Sequence, residues 1–400
     1  MTGRQYRYFG SYLTRTILRW LVLSVVGFTG KFAVAVVSEL LGDALYPPKG
    51  NRLCSLQLGR FGVVVERLKP YPAALLSQFR RPLLAVRGPH SCGLVTSRIN
   101  KCHVVSILQA LFGMLPSSCD VSAPIQLDDN YAAFLMLRRS VQESSGGAAI
   151  TIDAFYDALL CHAVTTKQML VVQFLMSRAK EDASETLGNL FQLLPGVAEH
   201  FTVITAERMS CSSHDVSRDG LQEVQTSIAV PFHDGCESAS ASELIGLSLQ
   251  QRTLSDWKCA KQDARRHHTP CLSNVITSIR AVRDCLVIHV LRFVRTGMGR
   301  GDVAIYTKQH SPLLLHATLE LMVNSMPQTF HLCGVVAHLG DSKDTGHYVA
   351  YVREFREDRD VTVWRKCDDS TAPVLYSADW VFTEVQKTCY LLFYRRLISS

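Results

Sequence analysis

The chain carries no acidic residue before Glu39, no dense stripe of lysine and arginine interleaved with aromatics, no internal repeat and no regular pairing of its cysteines. Without a basic and aromatic stripe, the formal net charge of +7 has no surface on which to grip a nucleic acid, and none is expected as a partner. The thirteen cysteines are odd in number and scattered, which fits reduced thiols in a cytosol-facing protein better than a disulfide framework. Charged residues are also few, 19% against 47% hydrophobic, so the 400 residues can build a large core and the chain is not disordered. That length accommodates one large domain with an extension, or two domains.

The acid-free N-terminus holds Arg4, Arg7, Arg15, Arg19 and Lys31. From Trp20 to Val37 it reads "WLVLSVVGFTGKFAVAVV", apolar or small except at Lys31 and about long enough to cross a hydrocarbon core. A mid-span lysine costs about 2.5–3.5 kcal/mol on insertion scales unless it snorkels. Residues 1–45 are therefore expected to form an apolar helix that anchors the chain in a membrane. A basic targeting segment and a docked helix are the alternatives. The stretch "YPPKGNR" breaks any helix and opens a linker over residues 46–90. From about residue 91 to 397 the chain reads as one mixed α/β unit, with the polar interval 205–245 expected as a surface insertion.

Within that unit "DTGHYVAYVR" alternates with the period of a strand, placing His347, Val349, Tyr351 and Arg353 on one face, and Gly346 stands directly before the histidine. Far upstream, "INKCHVVSILQALFGML" places Cys102 at the start of an amphipathic helix on which Val105, Leu108, Leu111 and Phe112 share a face. Free backbone N–H groups and the dipole at such a terminus favour an anion, which is what a thiolate nucleophile needs. After a strand expected to end near Lys366, "CDDS" offers Asp368 and Asp369, either of which would orient an imidazole.

Taken together and in this order, the segments resemble the ubiquitin-specific proteases, a papain-like cysteine peptidase family. The resemblance rests on "INKCHVVSILQALF", on "KEDASETLGNLF" from Lys180, on "VRDCLVIHVLRF" from Val282, and on "GHYVAYVR", "WRKCDDS" and "CYLLFYRR". It implies an α+β domain of fingers, palm and thumb that removes ubiquitin from conjugates, with ubiquitin or ubiquitinated proteins as partners and no cofactor. It makes Cys102 the nucleophile, His347 the general base and acid, and Asp368 the orienting carboxylate, with Cys367 the alternative third member. Asp182 and His338 would bind the tail of ubiquitin, and Gly346 would leave room for the tail's diglycine. A basic, apolar segment just ahead of such a domain is similar to the family's mitochondrial outer-membrane architecture.

The departures from the pattern define further expectations. The family's oxyanion asparagine falls at Ser97, beside Thr96, in a loop one residue longer, so these two hydroxyls become the oxyanion candidates. Lys101 and His103 replace a threonine and an aromatic and are expected to favour the thiolate electrostatically. The zinc-binding pairs of many relatives are reduced to Cys211 with His214 and Cys259 with Gln262, with His267 and His268 as possible substitutes, and no metal is expected.

Overall fold

The computed structural model describes residues 92–115, 129–144, 149–211, 216–233, 235–257, 271–298, 304–343, 345–354, 362–371 and 373–396. All of them belong to the unit Leu75–Ser400. The expected anchor over residues 1–45, the linker over 46–90, and His214, Cys259, Gln262, His267 and His268 lie outside the described residues. Among the described residues no helix is long and apolar enough to cross a membrane.

Helices gather in the first half of the described chain: α1 (Cys102–Met114), α2 (Asp129–Glu143), α3 (Asp153–Thr165), α4 (Met169–Met176) and α5 (Ala183–Leu193). The second half is mostly strand, and a 12-stranded mixed sheet dominates it. This segregation is the α+β arrangement expected. At the heart of the sheet, Met326–Leu339 pairs antiparallel with His347–Glu354 on one edge and with Cys389–Arg396 on the other. Cys389–Arg396 in turn pairs with Cys285–Leu291. Beyond His347–Glu354 the sheet continues through Val363–Cys367 to the edge strand Val374–Ser377.

Alternation along the histidine strand sorts its side chains into two cores. Tyr348, Ala350 and Val352 enter the core shared with the helices, while Val349 and Tyr351 enter the core on the opposite face. The strand is thus buried on both faces. Helix α1 departs from the amphipathic expectation for a related reason. Wedged between the sheet and α5, it buries His103 through Phe112 as well as Met114. Close approach requires Gly113, because a Cβ there would stand 2.0 Å from Val352 Cγ1.

The interval 205–245 is not a surface insertion. Val203–Cys211 and Val216–Gln225 pair antiparallel and extend the sheet to its far end, where both faces can meet water, so their polar composition fits strands. Arg292 is fully buried and donates to four carbonyl oxygens, those of Cys389 at 2.8 Å, Gln309 at 3.0 Å, Ser311 at 2.9 Å and Gln386 at 2.7 Å, and to Cys389 Sγ at 3.4 Å. Its fixed fork of donors joins three chain segments that are remote in sequence.

Candidate active site

Cys102 is the first residue of α1, where helix geometry leaves the amides of Cys102 and His103 without intrahelical acceptors. The chain reaches it through Asn100, whose φ of 58° lies in the left-handed region that asparagine tolerates, with its Nδ2 donating to Arg178 O at 2.8 Å. The Cys102 side chain hydrogen-bonds His347, at the start of its strand. His347 Nε2 in turn lies 2.8 Å from Asp368 Oδ1, leaving Nδ1 as the nitrogen that faces the sulfur.

Strand register delivers the carboxylate. Cys367 pairs with Ala350, so the next residue returns toward His347, and a turn closed by Thr371 N–H donating to Asp368 O at 3.0 Å ends the strand there. Asp369 takes a φ of 46° in that turn, and its Oδ1 is buried without a hydrogen-bond partner among the described residues. Burial raises the Asp369 carboxyl against the pull of His347, and burial pushes the Cys367 thiol up to about 11. The Cys367 thiol points to Arg365 O at 4.0 Å. Of the three candidates for the third member, Asp368 is the one hydrogen-bonded to the imidazole. The hydrogen bond from Cys102 raises His347 most, burial opposes it, Asp368 adds to it, and the imidazole is pushed up to about 9. His347, Asp368 and Asp369 also form a tight N,O,O cluster, which the His347 to Asp368 hydrogen bond accounts for without a metal.

The loop before Cys102 is held by a residue that sequence reasoning missed. Leu94–Val95 pairs in parallel with Ile150–Thr151, which brings Thr96 and Ser97 to Asp153 at the N-terminus of α3. Thr96 Oγ1 donates to Asp153 Oδ1, the Ser97 amide lies 3.1 Å from both carboxylate oxygens, and the Ser97 side chain bonds the same carboxylate. Burial pushes Asp153 up, but these donors outweigh it and hold the carboxyl below the usual range. Both oxyanion candidates therefore spend their hydroxyls on Asp153. An acid opening a helix in "TIDAFYDALL" was the available signal; its partner across the loop was not legible.

His103 does not act as expected. It is buried against Phe174, both ring nitrogens lack partners among the described residues, and burial with Lys101 nearby pushes it down to about 3, so the ring is neutral and fills an aromatic slot. Lys101 is turned to Ser177 O at 2.7 Å, and burial lowers it to about 8.

Asp182 proves to be the N-cap of α5, with Oδ1 accepting from the Ser184 amide at 2.7 Å, the Ser184 hydroxyl at 2.7 Å and the Glu185 amide at 3.3 Å. Its Oδ2 accepts from the Tyr390 hydroxyl. Burial pushes this carboxyl up, and the bonds from Tyr390 and Ser184 hold it down. His338 is 1% exposed and edge-on to Tyr348 and Phe293. Gly346 packs on it so closely that a Cβ would lie 1.6 Å from His338 Nε2, which is a reason for the glycine beyond room for a ligand. Lys180 Nζ reaches across from the helical half to Gly346 O at 2.8 Å. Cys211 is buried at the end of its strand.

A family model described as "Ubiquitin carboxyl-terminal hydrolase" matches residues 92–394, most of the chain. The chain belongs to that family. This places it among the cysteine-type ubiquitin-specific peptidases. It is 24% identical over 192 residues to ubiquitin carboxyl-terminal hydrolase 13 of Saccharomyces cerevisiae, a match covering 44% of this chain and 24% of the yeast protein. It is 30% identical over 118 residues to ubiquitin carboxyl-terminal hydrolase 10-A of Xenopus laevis, covering 28% of this chain and 14% of the frog protein. The matched segments are thus a minor part of both relatives. Among solved structures, the SAGA DUB module containing Ubp8 bound to monoubiquitin superposes with a TM-score of 0.60 at 14% identity, covering 83% of this chain and 75% of that one. The same module bound to ubiquitin aldehyde gives 0.58 at 16% identity, with the same coverage. At such identities the likeness shows the mixed α/β fold.

Proposed function

We propose that the chain is a thiol isopeptidase that cleaves after the C-terminal glycine of ubiquitin on conjugated proteins. The observation that carries this reading is the continuous chain of hydrogen bonds from Cys102 through His347 to Asp368 at the start of a buried helix. The Cys102 thiolate attacks the scissile carbonyl, and the electron pair moves to oxygen. The unpaired amide of Cys102 is the donor for that oxyanion, joined by Ser97 where its hydroxyl leaves Asp153. The His347 imidazolium then protonates the departing lysine amine, leaving a thioester. Water, deprotonated by His347, attacks the thioester and releases the ubiquitin carboxylate and the thiolate. Asp368 holds the imidazole by Nε2 and stabilises its charged form. Asp182, His338 and Gly346 line the path of the tail, and the ubiquitin in the neighbouring solved structures supports this class of partner.

A second reading, a catalytically weak ubiquitin-binding scaffold, is favoured by the commitment of Thr96 and Ser97 to Asp153. Losing one oxyanion donor costs about 2.7–4 kcal/mol of transition-state stabilisation. A ubiquitin C-terminal electrophile probe and a ubiquitin–fluorophore amide separate the two. The isopeptidase reading expects labelling at Cys102 and turnover, both abolished in Cys102→Ala. Labelling without turnover would favour the scaffold, and the absence of both would end the isopeptidase reading.

We also infer that residues 1–45 fix the chain to a membrane, with the protease domain facing the cytosol where ubiquitin conjugates are found. The mitochondrial outer membrane suits a span made marginal by Lys31 and flanked by arginines. Carbonate should leave the full chain in the membrane fraction and release a chain starting at Tyr46. Protease added to intact organelles should degrade the domain. Soluble full chain, or a protected domain, would overturn this assignment.

A further inference from the structure

Lys308, at the end of the strand Ala304–Lys308, is 5% exposed and has no carboxylate within salt-bridge distance among the described residues. Its ammonium instead faces three acceptors. Nζ lies 2.6 Å from His338 O, 2.6 Å from Gly340 O and 3.2 Å from His338 Nδ1. Three protons meet three lone pairs, so Nδ1 of the neutral His338 must accept and the ring proton must sit on Nε2. That Nε2 is buried, has no hydrogen-bond partner among the described residues, and abuts Gly346, the residue before His347. The same contacts hold one end of the hairpin loop between Leu339 and His347, while Lys180 holds the other at Gly346 O. We propose that Lys308 is a positioning residue for the reaction: its ammonium holds the loop ahead of His347 at His338 O and Gly340 O and fixes His338 in the Nε2–H tautomer packed against Gly346, and so sets where Gly346 stands for the incoming tail. The proposal rests on the isopeptidase reading above.

The pairing inverts when Lys308 loses its proton. A neutral amine offers two donors and one lone pair, so it would keep both carbonyls and accept from His338 Nδ1–H. Nε2 would then be bare against Gly346, and the loop ahead of His347 would lose the ammonium's charge. Burial first, and then the Arg292 guanidinium, push Lys308 down to about 8, within reach of an assay. The other groups facing it are Asp341, itself 3.6 Å from His310, and the Cys389 thiol. Around His338 stand Lys180, Asp182 and His347, and burial with Lys308 pushes the ring down to about 4, which keeps it neutral across the range tested. The expected signature is a rise in KM as pH passes 8, separate from the loss of kcat near pH 9 that follows the His347 imidazolium.

The test uses the full chain with a ubiquitin–fluorophore amide between pH 6.5 and 9.5. Wild type should show KM rising about tenfold across pH 8, the size expected for one buried hydrogen bond. Lys308→Met should show the high KM already at pH 7, flat with pH, with its kcat profile unchanged. Lys308→Arg, which stays charged, should keep KM low to pH 9. In parallel, ring 15N spectra of histidine-labelled protein, with His338 identified through His338→Gln, should show the Nε2–H tautomer at pH 7 in wild type and its loss in Lys308→Met. A wild-type Nδ1–H tautomer overturns the proposal even if the enzyme is active, as does wild-type KM behaviour in Lys308→Met. Absence of turnover with the Nε2–H tautomer in place would instead overturn the isopeptidase reading. If Lys308→Met does not fold, the wild-type tautomer and the Lys308→Arg profile decide.

Discussion

His347 stands between a sulfur and a carboxylate, and its elevated protonation links catalysis to stability. Its folded pKa of about 9 lies above the ordinary 6.5, with the Cys102 contact the largest cause. A raised pKa contributes stability that is fully present below 6.5 and lost as pH rises through about 9. The unfolding midpoint of wild type relative to Cys102→Ala should therefore decline between pH 6.5 and 9, as thermal melts across that range would read. A difference independent of pH would mean that the imidazole is not held by the thiol. The neighbouring acids are separated by the same geometry. Asp368 touches the ring, whereas Asp369 and Cys367 do not. Asp368→Asn is expected to lower kcat by roughly 10²–10⁴-fold, and Asp369→Asn and Cys367→Ala by far less, in steady-state assays of the ubiquitin–fluorophore amide. Greater damage in Cys367→Ala would transfer the orienting role to that residue.

Two helices start on carboxylates that serve the site in different ways. Asp153 opens α3 and takes donors from the loop ahead of the nucleophile, so it anchors that loop to the helical layer. Asp182 precedes α5, caps it, and receives the hydroxyl of Tyr390 from the C-terminal strand. Removing the Asp182 carboxylate takes away a cap and strands a buried hydroxyl. Asp182→Ala should thus lose about 2–4 kcal/mol in urea unfolding. Asp182→Asn, which can still cap, should lose less. Equal losses would mean that the charge, rather than the cap, carries the stabilisation.

Arg292 works at the scale of the whole domain, because its four carbonyl partners lie on two loops and on the strand Cys389–Arg396. Substituting methionine would preserve much of the volume and take the guanidinium donors from all four carbonyls, of which Gln386 O keeps the Leu313 amide at 2.7 Å. Arg292→Met is expected to destabilise the domain by about 3–5 kcal/mol in chemical denaturation, a large share of a typical domain's stability. A loss below about 1 kcal/mol would show that water replaces the guanidinium.

Local pattern carried much of this protein into view from sequence. The start of α1 at Cys102, the strand opened by His347, the strand end before Asp368 and the α+β segregation all follow from periodicities of 3.6 and 2, which neighbouring residues alone express. The family boxes bring in the same residues because the motifs that carry them are short and contiguous. The tertiary structure decided what depends on partners distant in the chain. It buried α1 on every side, made the polar interval 205–245 into strands, neutralised His103, and committed Thr96 and Ser97 to Asp153. It also set Lys308 against His338 across thirty residues. A hydrogen bond between remote segments leaves no periodic trace in sequence, and whether a histidine is charged depends on burial, which no single segment determines.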